Sequence, residues 1–296
     1  MNCHAAVYAV PAARQYGSTP ATGSHAGGMS EKNVYTHGHH ESVLRSHTWR
    51  TAENSAAYLL SHVVAGMDLL DVGCGPGTIT VDLAKRVAPG QVVGVDASES
   101  VLEGAVRSAE EASCANVTFQ VGDITRLDFE DDSFDIVHAH QVLQHLADPV
   151  AALEEMRRVC RSGGIVAARD ADYAAMTWFP EDPVLTRALE LYRRTARANG
   201  AEPDAGRRLL SWAGRAGFDD VIPSASTWCY ATPADRTWWG SLWADRLTQS
   251  ALATQLVEYG FATPTDLESF AAAWREWAEA PDGWYAVLHG EVLCRA

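Results

Sequence analysis

Positive charge is scarce in this chain. Of 296 residues, 23 are Lys or Arg against 38 Asp or Glu, a formal net charge of −15, and the isoelectric point lies near 5.1. A polyanion approaching such a surface meets repulsion, so nucleic acid and anionic membrane surfaces are poor partners. Long apolar runs are also lacking: no stretch of about 18 apolar residues is present, and the N-terminus shows no basic-then-apolar layout of a secretory signal. The expectation is a soluble, cytoplasmic protein with no membrane insertion. Cysteines are few and scattered. Cys3, Cys74, Cys114, Cys160, Cys229 and Cys294 form no C-x-x-C pair, so they read as reduced thiols without a zinc site. What is present in quantity is apolar material, 47% of residues, with 21% charged, which excludes a wholly disordered, collagenous or coiled-coil chain. The length suits one large domain or two small ones. Ten tryptophans are unevenly spread, nine of them after residue 170.

Residues 1–30 are mostly small and polar and offer too little to bury against their ordering entropy, so they read as a flexible extension, with Met29 a candidate natural start. From residue 54 to the mid-160s, short apolar runs at 68–73, 91–95, 117–121, 134–138 and 164–168 alternate with helical patterns near 77–88, 98–112 and 148–161. That alternation predicts βαβ units and a parallel sheet. Later segments predict a helix over 181–199 and a strand region over 217–230, where Pro223 marks a bend or an edge. Thr232-Pro233-Ala234-Asp235 and Thr263-Pro264-Thr265-Asp266 both present a Thr N-cap, Pro at the first helical position and an acid in the first turn. Gly260 is the expected stop of the first of these helices. Leu267, Phe270, Trp274 and Trp277 make one apolar face of the second. A final strand follows from residue 284. No internal repeat is found.

The most informative stretch is Asp71-Val72-Gly73-Cys74-Gly75-Pro76-Gly77-Thr78, at the junction of the first strand and first helix. Its glycines permit a tight turn and close backbone approach to a ligand at the carboxyl edge of the sheet. A dinucleotide fingerprint would need Gly at position 78, which is Thr, and this disfavours a nicotinamide dehydrogenase. The G-x-G-x-G spacing with Asp71 two residues ahead, Gly94-Val95-Asp96-Ala97-Ser98, Gly122-Asp123-Ile124-Thr125, Phe134-Asp135-Ile136-Val137 and His145-Leu146-Ala147-Asp148-Pro149 come in one order. That order resembles the class I S-adenosylmethionine-dependent methyltransferases, most of all the ubiquinone/menaquinone-biosynthesis type acting on small molecules. The resemblance covers residues 35–170. It implies an α/β fold with a doubly wound, mostly parallel seven-stranded sheet, the Rossmann-like methyltransferase fold, and a helical insertion before the last strand. The implied organisation is a helical segment over the cofactor at 31–67, the core at 68–231, a Trp-rich substrate cap at 232–281 and the last core strand at 282–296.

Carried onto this sequence, the resemblance places Gly73, Gly75 and Gly77 along the methionine part of the cofactor and Asp71 near its ammonium group. Asp96, with Ala97 beside it, would take the ribose hydroxyls. Asp123 and Ile124 would face adenine, and Gln141 would sit near the sulfonium. Tyr35, His37 or Arg50 would meet the methionine end. A metal site at His37, His39 and His40 lacks an acid or cysteine partner at recognisable spacing, and none is expected. Methyl transfer needs an in-line acceptor, exclusion of water and a base if the acceptor carries a proton. His138, His140 and His145 follow the fourth strand; His140 is the first choice of base and His145 the second, with a structural role open for each. Asp170 would orient an acceptor hydroxyl or amine, or else form a salt bridge or cap. Between residues 98 and 135 ten acids face two basic residues, again unsuited to RNA or DNA. The expected activity is O-, N- or C-methylation of a small, aromatic or hydrophobic, neutral or cationic molecule, with cap tryptophans facing the cleft and a homo-oligomer possible. The alternative is a protein of the same fold that binds the cofactor without transferring methyl.

Overall fold

The computed structural model describes residue 36 and residues 47–296. The proposed extension over 1–30 and the readings on Tyr35, His37, His39 and His40 lie outside the described residues.

Two short helices, α1 (Ala52–Ser55) and α2 (Ala57–Leu60), lead into β1 (Leu69–Val72), whose four residues are all buried. Then come α3 (Thr78–Val87), β2 (Val92–Asp96), α4 (Glu99–Glu111), β3 (Val117–Val121), β4 (Phe134–His140), α5 (Pro149–Val159) and β5 (Cys160–Ala171). The chain continues through β6 (Thr177–Phe179), α6 (Pro183–Ala198), α7 (Leu209–Arg215), β7 (Val221–Tyr230), α8 (Pro233–Gln249), α9 (Ala251–Glu258), α10 (Pro264–Glu279) and β8 (Trp284–Arg295). The strand order is β3-β2-β1-β4-β5-β8, with β7 paired to the outer side of β8 and three-residue β6 pairing with the start of β8. β1 to β5 are mutually parallel and β8 runs against them. This is the expected doubly wound sheet of seven strands, with β6 as a short eighth. Pro223 lies on β7, an edge strand paired only to β8, where its missing N–H costs no ladder bond.

The strands read as apolar runs because helices cover both faces. Leu70, Val72, Val137, Ala139, Val166 and Ala168 pack on one side with Leu153, Met156 and Trp212. Leu69, Val92, Ile136, Ile165 and Ala167 pack on the other with Leu59, Ile79 and Leu83. A third core joins α6 and the inserted helices to the far strands, and it holds Trp228, Trp239, Trp243, Trp274 and Trp277.

Both Thr-Pro starts form full capping boxes, Thr232 with Asp235 and Thr263 with Asp266. Gly260 follows with φ +65°. The first helix does not run unbroken to it, however. Ser250 adopts an extended backbone, its hydroxyl accepts from the Leu252 N–H at 3.2 Å and donates to the Arg246 carbonyl at 2.7 Å. One side chain thus ends α8 and starts α9, a competition between side chain and ladder that Ser wins readily.

Candidate active site

The carboxyl ends of the parallel strands open into a cavity of about 740 Å³, within the range of about 300–1,000 Å³ usual for small-molecule sites. β1, β2 and β3 supply one side of it. Gly73 and Gly75 turn the chain with φ +66° and +56°, conformations costly for other residues. A Cβ on Gly73 would lie 2.3 Å from a Val142 methyl, whereas one on Gly75 would meet only the His47 ring at 3.9 Å. Gly77 differs from the expectation: it caps α3 behind the wall, packed on Ala105 and Phe119, and does not line the cavity. Asp71, Asp96, Ala97, Asp123 and Ile124 all line it.

The three aspartates are held differently. Asp71 is buried and bonded within the protein: the Thr80 hydroxyl donates to Oδ2 at 2.6 Å and His138 Nδ1 to Oδ1 at 2.8 Å. Asp96 accepts the Gly75 N–H through Oδ2 and the Ser98 N–H through Oδ1, each at 3.0 Å, which ties the glycine turn to the end of β2. Asp123 accepts both the N–H and the hydroxyl of Thr125 through Oδ1. These acceptors at three successive strand ends, with a left-handed glycine turn between them, suit a ligand rich in N–H and O–H donors and fit S-adenosylmethionine.

β4 and the turn after it supply the other side through His140, Gln141, Gln144 and His145. Gln141 is a non-glycine residue at φ +53°, a strained position of the kind that clusters at functional sites. Its amide is held at both ends. Arg50 Nη2 donates to Oε1 at 2.6 Å, and Nε2 donates to His289 Nε2 at 2.8 Å, while His289 Nδ1 meets the Val287 carbonyl at 3.1 Å. The last contact makes Nδ1 the protonated nitrogen and Nε2 the acceptor. Arg50, which lines the cavity, is thereby fixed through Gln141 to β8. His289 was not foreseen from the sequence, because nothing near it marks a site; only the β5–β8 pairing brings it alongside.

The two candidate bases differ sharply. His140 is buried, lines the cavity, and neither ring nitrogen has a hydrogen-bond partner. Burial, reinforced by Arg50 and Arg169, holds its pKa well below the ordinary value, so it is a neutral imidazole with an open lone pair. His145 is pushed down to about 3 by burial and by Arg50 and Arg246, and its Nε2 accepts from Gln144 Nε2 at 3.0 Å. Its lone pair is occupied.

Asp170 does not line the cavity. It lies buried behind the turn, accepting the Gln144 N–H at 3.1 Å, and burial raises its pKa to about 7. By register, His140, Arg169 and Glu291 stand level on one face of the sheet, and Asp170 points to the opposite one. Arg169 pairs with Glu291 at 3.1 Å and lies 4.9 Å from the Trp228 ring centroid.

The cap tryptophans also depart from expectation. Trp238, Trp239, Trp243, Trp274 and Trp277 pack in or against the third core, and none lines the cavity. The argument from them for a flat apolar or cationic acceptor therefore falls. Tyr173 and Arg246, unremarked in the sequence, line it instead.

A model of a methyltransferase domain matches residues 64–216. An uncharacterised methyltransferase of Schizosaccharomyces pombe is 37% identical over 273 residues, covering 89% of this chain and 97% of that protein. Demethylmenaquinone methyltransferase of Staphylococcus aureus is 40% identical over 128 residues, 43% of this chain and 50% of that enzyme. Among solved structures, the YcgJ protein from Bacillus subtilis superimposes with a TM-score of 0.55 at 21% identity, over 82% of this chain and 98% of that one.

Proposed function

The chain belongs to the S-adenosylmethionine-dependent methyltransferases, and from that premise we propose that it methylates a small molecule bearing a proton at the acceptor atom, with His140 as the base. The observation that carries this reading is the His140 ring, buried in the cavity wall with both nitrogens unpartnered. An unmet buried donor and acceptor at a reaction site point to a ligand group that meets them.

When bound, S-adenosylmethionine supplies an electrophilic methyl group on a sulfonium, with a neutral thioether as leaving group. Asp96 would hold the ribose hydroxyls and Asp123 with Ile124 the adenine. Gly73 and Gly75 would let the backbone meet the methionine part, with Arg50 and Asp71 at its charged ends. Gln141 acts through Arg50. As the acceptor forms its bond to carbon, its proton passes to the open nitrogen of His140. Burial disfavours the imidazolium, so the ring stands neutral and able to accept, and it returns to that state by passing the proton to water once the product leaves the cavity.

The cavity's volume of about 740 Å³ and the acidic run over 98–135 support a small molecule rather than a nucleic acid. Incubation with methyl-labelled cofactor and an acceptor panel tests the reading. His140→Ala should lower turnover by about a hundredfold or more while S-adenosylhomocysteine affinity by calorimetry changes little. A fully active variant removes His140 as the base, and cofactor binding with no label transferred to any acceptor counts against methylation of a small molecule.

A further inference from the structure

The inserted helices α8, α9 and α10 reach the cavity through a single side chain. Arg246, on α8, is 4% exposed and lines the wall beside His145 and Tyr173. The tryptophans that look like acceptor platforms in the sequence serve to hold it. Its guanidinium lies 5.3 Å from the Trp243 ring centroid, and Trp243 stacks on Trp274 at 5.5 Å with planes 11° apart. Ser250 bonds its carbonyl at the break between α8 and α9. The base of this residue is therefore rigid, which suits recognition more than gating.

Charge is divided across the cavity. The carboxylates that line it, Asp71, Asp96 and Asp123, all stand on the β1 to β3 side. On the β4 side, where the acceptor must lie, the charged lining residues are Arg50 and Arg246, and both act on the neutral His145. Asp170, which accepts the Gln144 N–H at that turn, is not in the wall. With Arg50 taken up at the methionine end of the cofactor, Arg246 is the charge left to the acceptor, so a cationic acceptor would enter against a guanidinium, whereas an anion would gain charge-assisted hydrogen bonds in a site of low dielectric. A guanidinium carries five N–H donors in a fork matched to a carboxylate, so bonds to protein neighbours and to a ligand are compatible.

We propose that Arg246 is a specificity-determining residue that binds a carboxylate of the acceptor, and that the acceptor is an organic acid methylated away from that carboxylate. This rests on the transferase reading above.

The test presents hydroxybenzoic and hydroxycinnamic acids, each beside its methyl ester, to the full chain, both as acceptors with methyl-labelled cofactor and as titrants of the S-adenosylhomocysteine complex. The acids should bind and be labelled about 10- to 100-fold better than their esters, the scale of one hydrogen-bonded charge pair. Arg246→Met should abolish that preference, Arg246→Lys should restore part of it, and both variants should keep S-adenosylhomocysteine affinity, which also reports that they fold. Esters that match the acids, a preference that survives Arg246→Met, or a cofactor-binding protein that takes up no acid of the series overturns the inference. Failure of the unaltered protein to bind S-adenosylhomocysteine would instead overturn the reading of the cofactor site.

Discussion

Asp96 ends β2 with each carboxylate oxygen already accepting one backbone N–H, from Gly75 and from Ser98. Each oxygen has a further lone pair, so the same group can hold the glycine turn and a ribose at once. Asp96→Ala should therefore weaken S-adenosylhomocysteine binding by about 1.5–3 kcal/mol, the range for hydrogen bonds to a charged group. Unchanged affinity by calorimetry would place the ribose elsewhere. Asp71 also accepts one bond on each oxygen, from Thr80 on α3 and from His138 on β4. Gln141 is likewise occupied, and its importance lies in what it fixes: an arginine from before the first strand and a histidine from the last, joined through one strained residue.

At the scale of single elements, local sequence and observed structure agree most closely at helix starts. Thr232 and Thr263 each bond the N–H of an acid three residues on, and that acid bonds back, so both orphan donors at these ends are met. Thr232→Ala and Thr263→Ala should each lower the unfolding free energy by about 1 kcal/mol, read as a lower urea midpoint at unchanged slope. A drop well above 2 kcal/mol at either site would mean that the threonine packs as well as caps. Ser250 shows where local reading ran out. Its segment has helical spacing throughout, and a hydroxyl that both donates and accepts divides the helix in two.

For the whole molecule, burying histidines at the strand ends has a consequence for pH. His140, His145 and His289 all have folded pKa values below the unfolded value of about 6.5, with burial the main cause and His145 at about 3. Below pH 6.5 the unfolded chain binds protons that the folded chain refuses, so their stability is lost as pH falls toward the folded values. Asp170 acts in the opposite sense. Its folded pKa of about 7 lies above the unfolded carboxylate value, so it favours the folded state below about pH 4 and loses that contribution as pH rises through 7. Three histidines outweigh one acid, and stability should fall as pH drops from 6.5 to 5. His145→Gln should flatten that dependence by about 1.4 kcal/mol per pH unit, one proton's worth, in urea unfolding across the range. An unaltered slope would show that His145 is protonated in the folded protein.

The sequence by itself determined the sheet, the glycine turn and the acids at the ends of β2 and β3, because each is written in contiguous residues: apolar runs buried on two faces, glycines where φ must be positive, capping pairs three apart. It also pointed to His140, since alternation along one strand is a local property. What only the tertiary structure decided is who meets whom across the sheet. Asp170 stands on the far face from His140 by strand register and is held under the turn by the Gln144 N–H, outside the cavity wall. His289 reached Gln141 because β8 inserts antiparallel beside β5. The tryptophans proved to be core material, and an arginine among them became the residue that faces the cavity, because an aromatic cluster large enough to hold the insertion together buries its rings in itself and leaves the polar tip of a long side chain to reach the site.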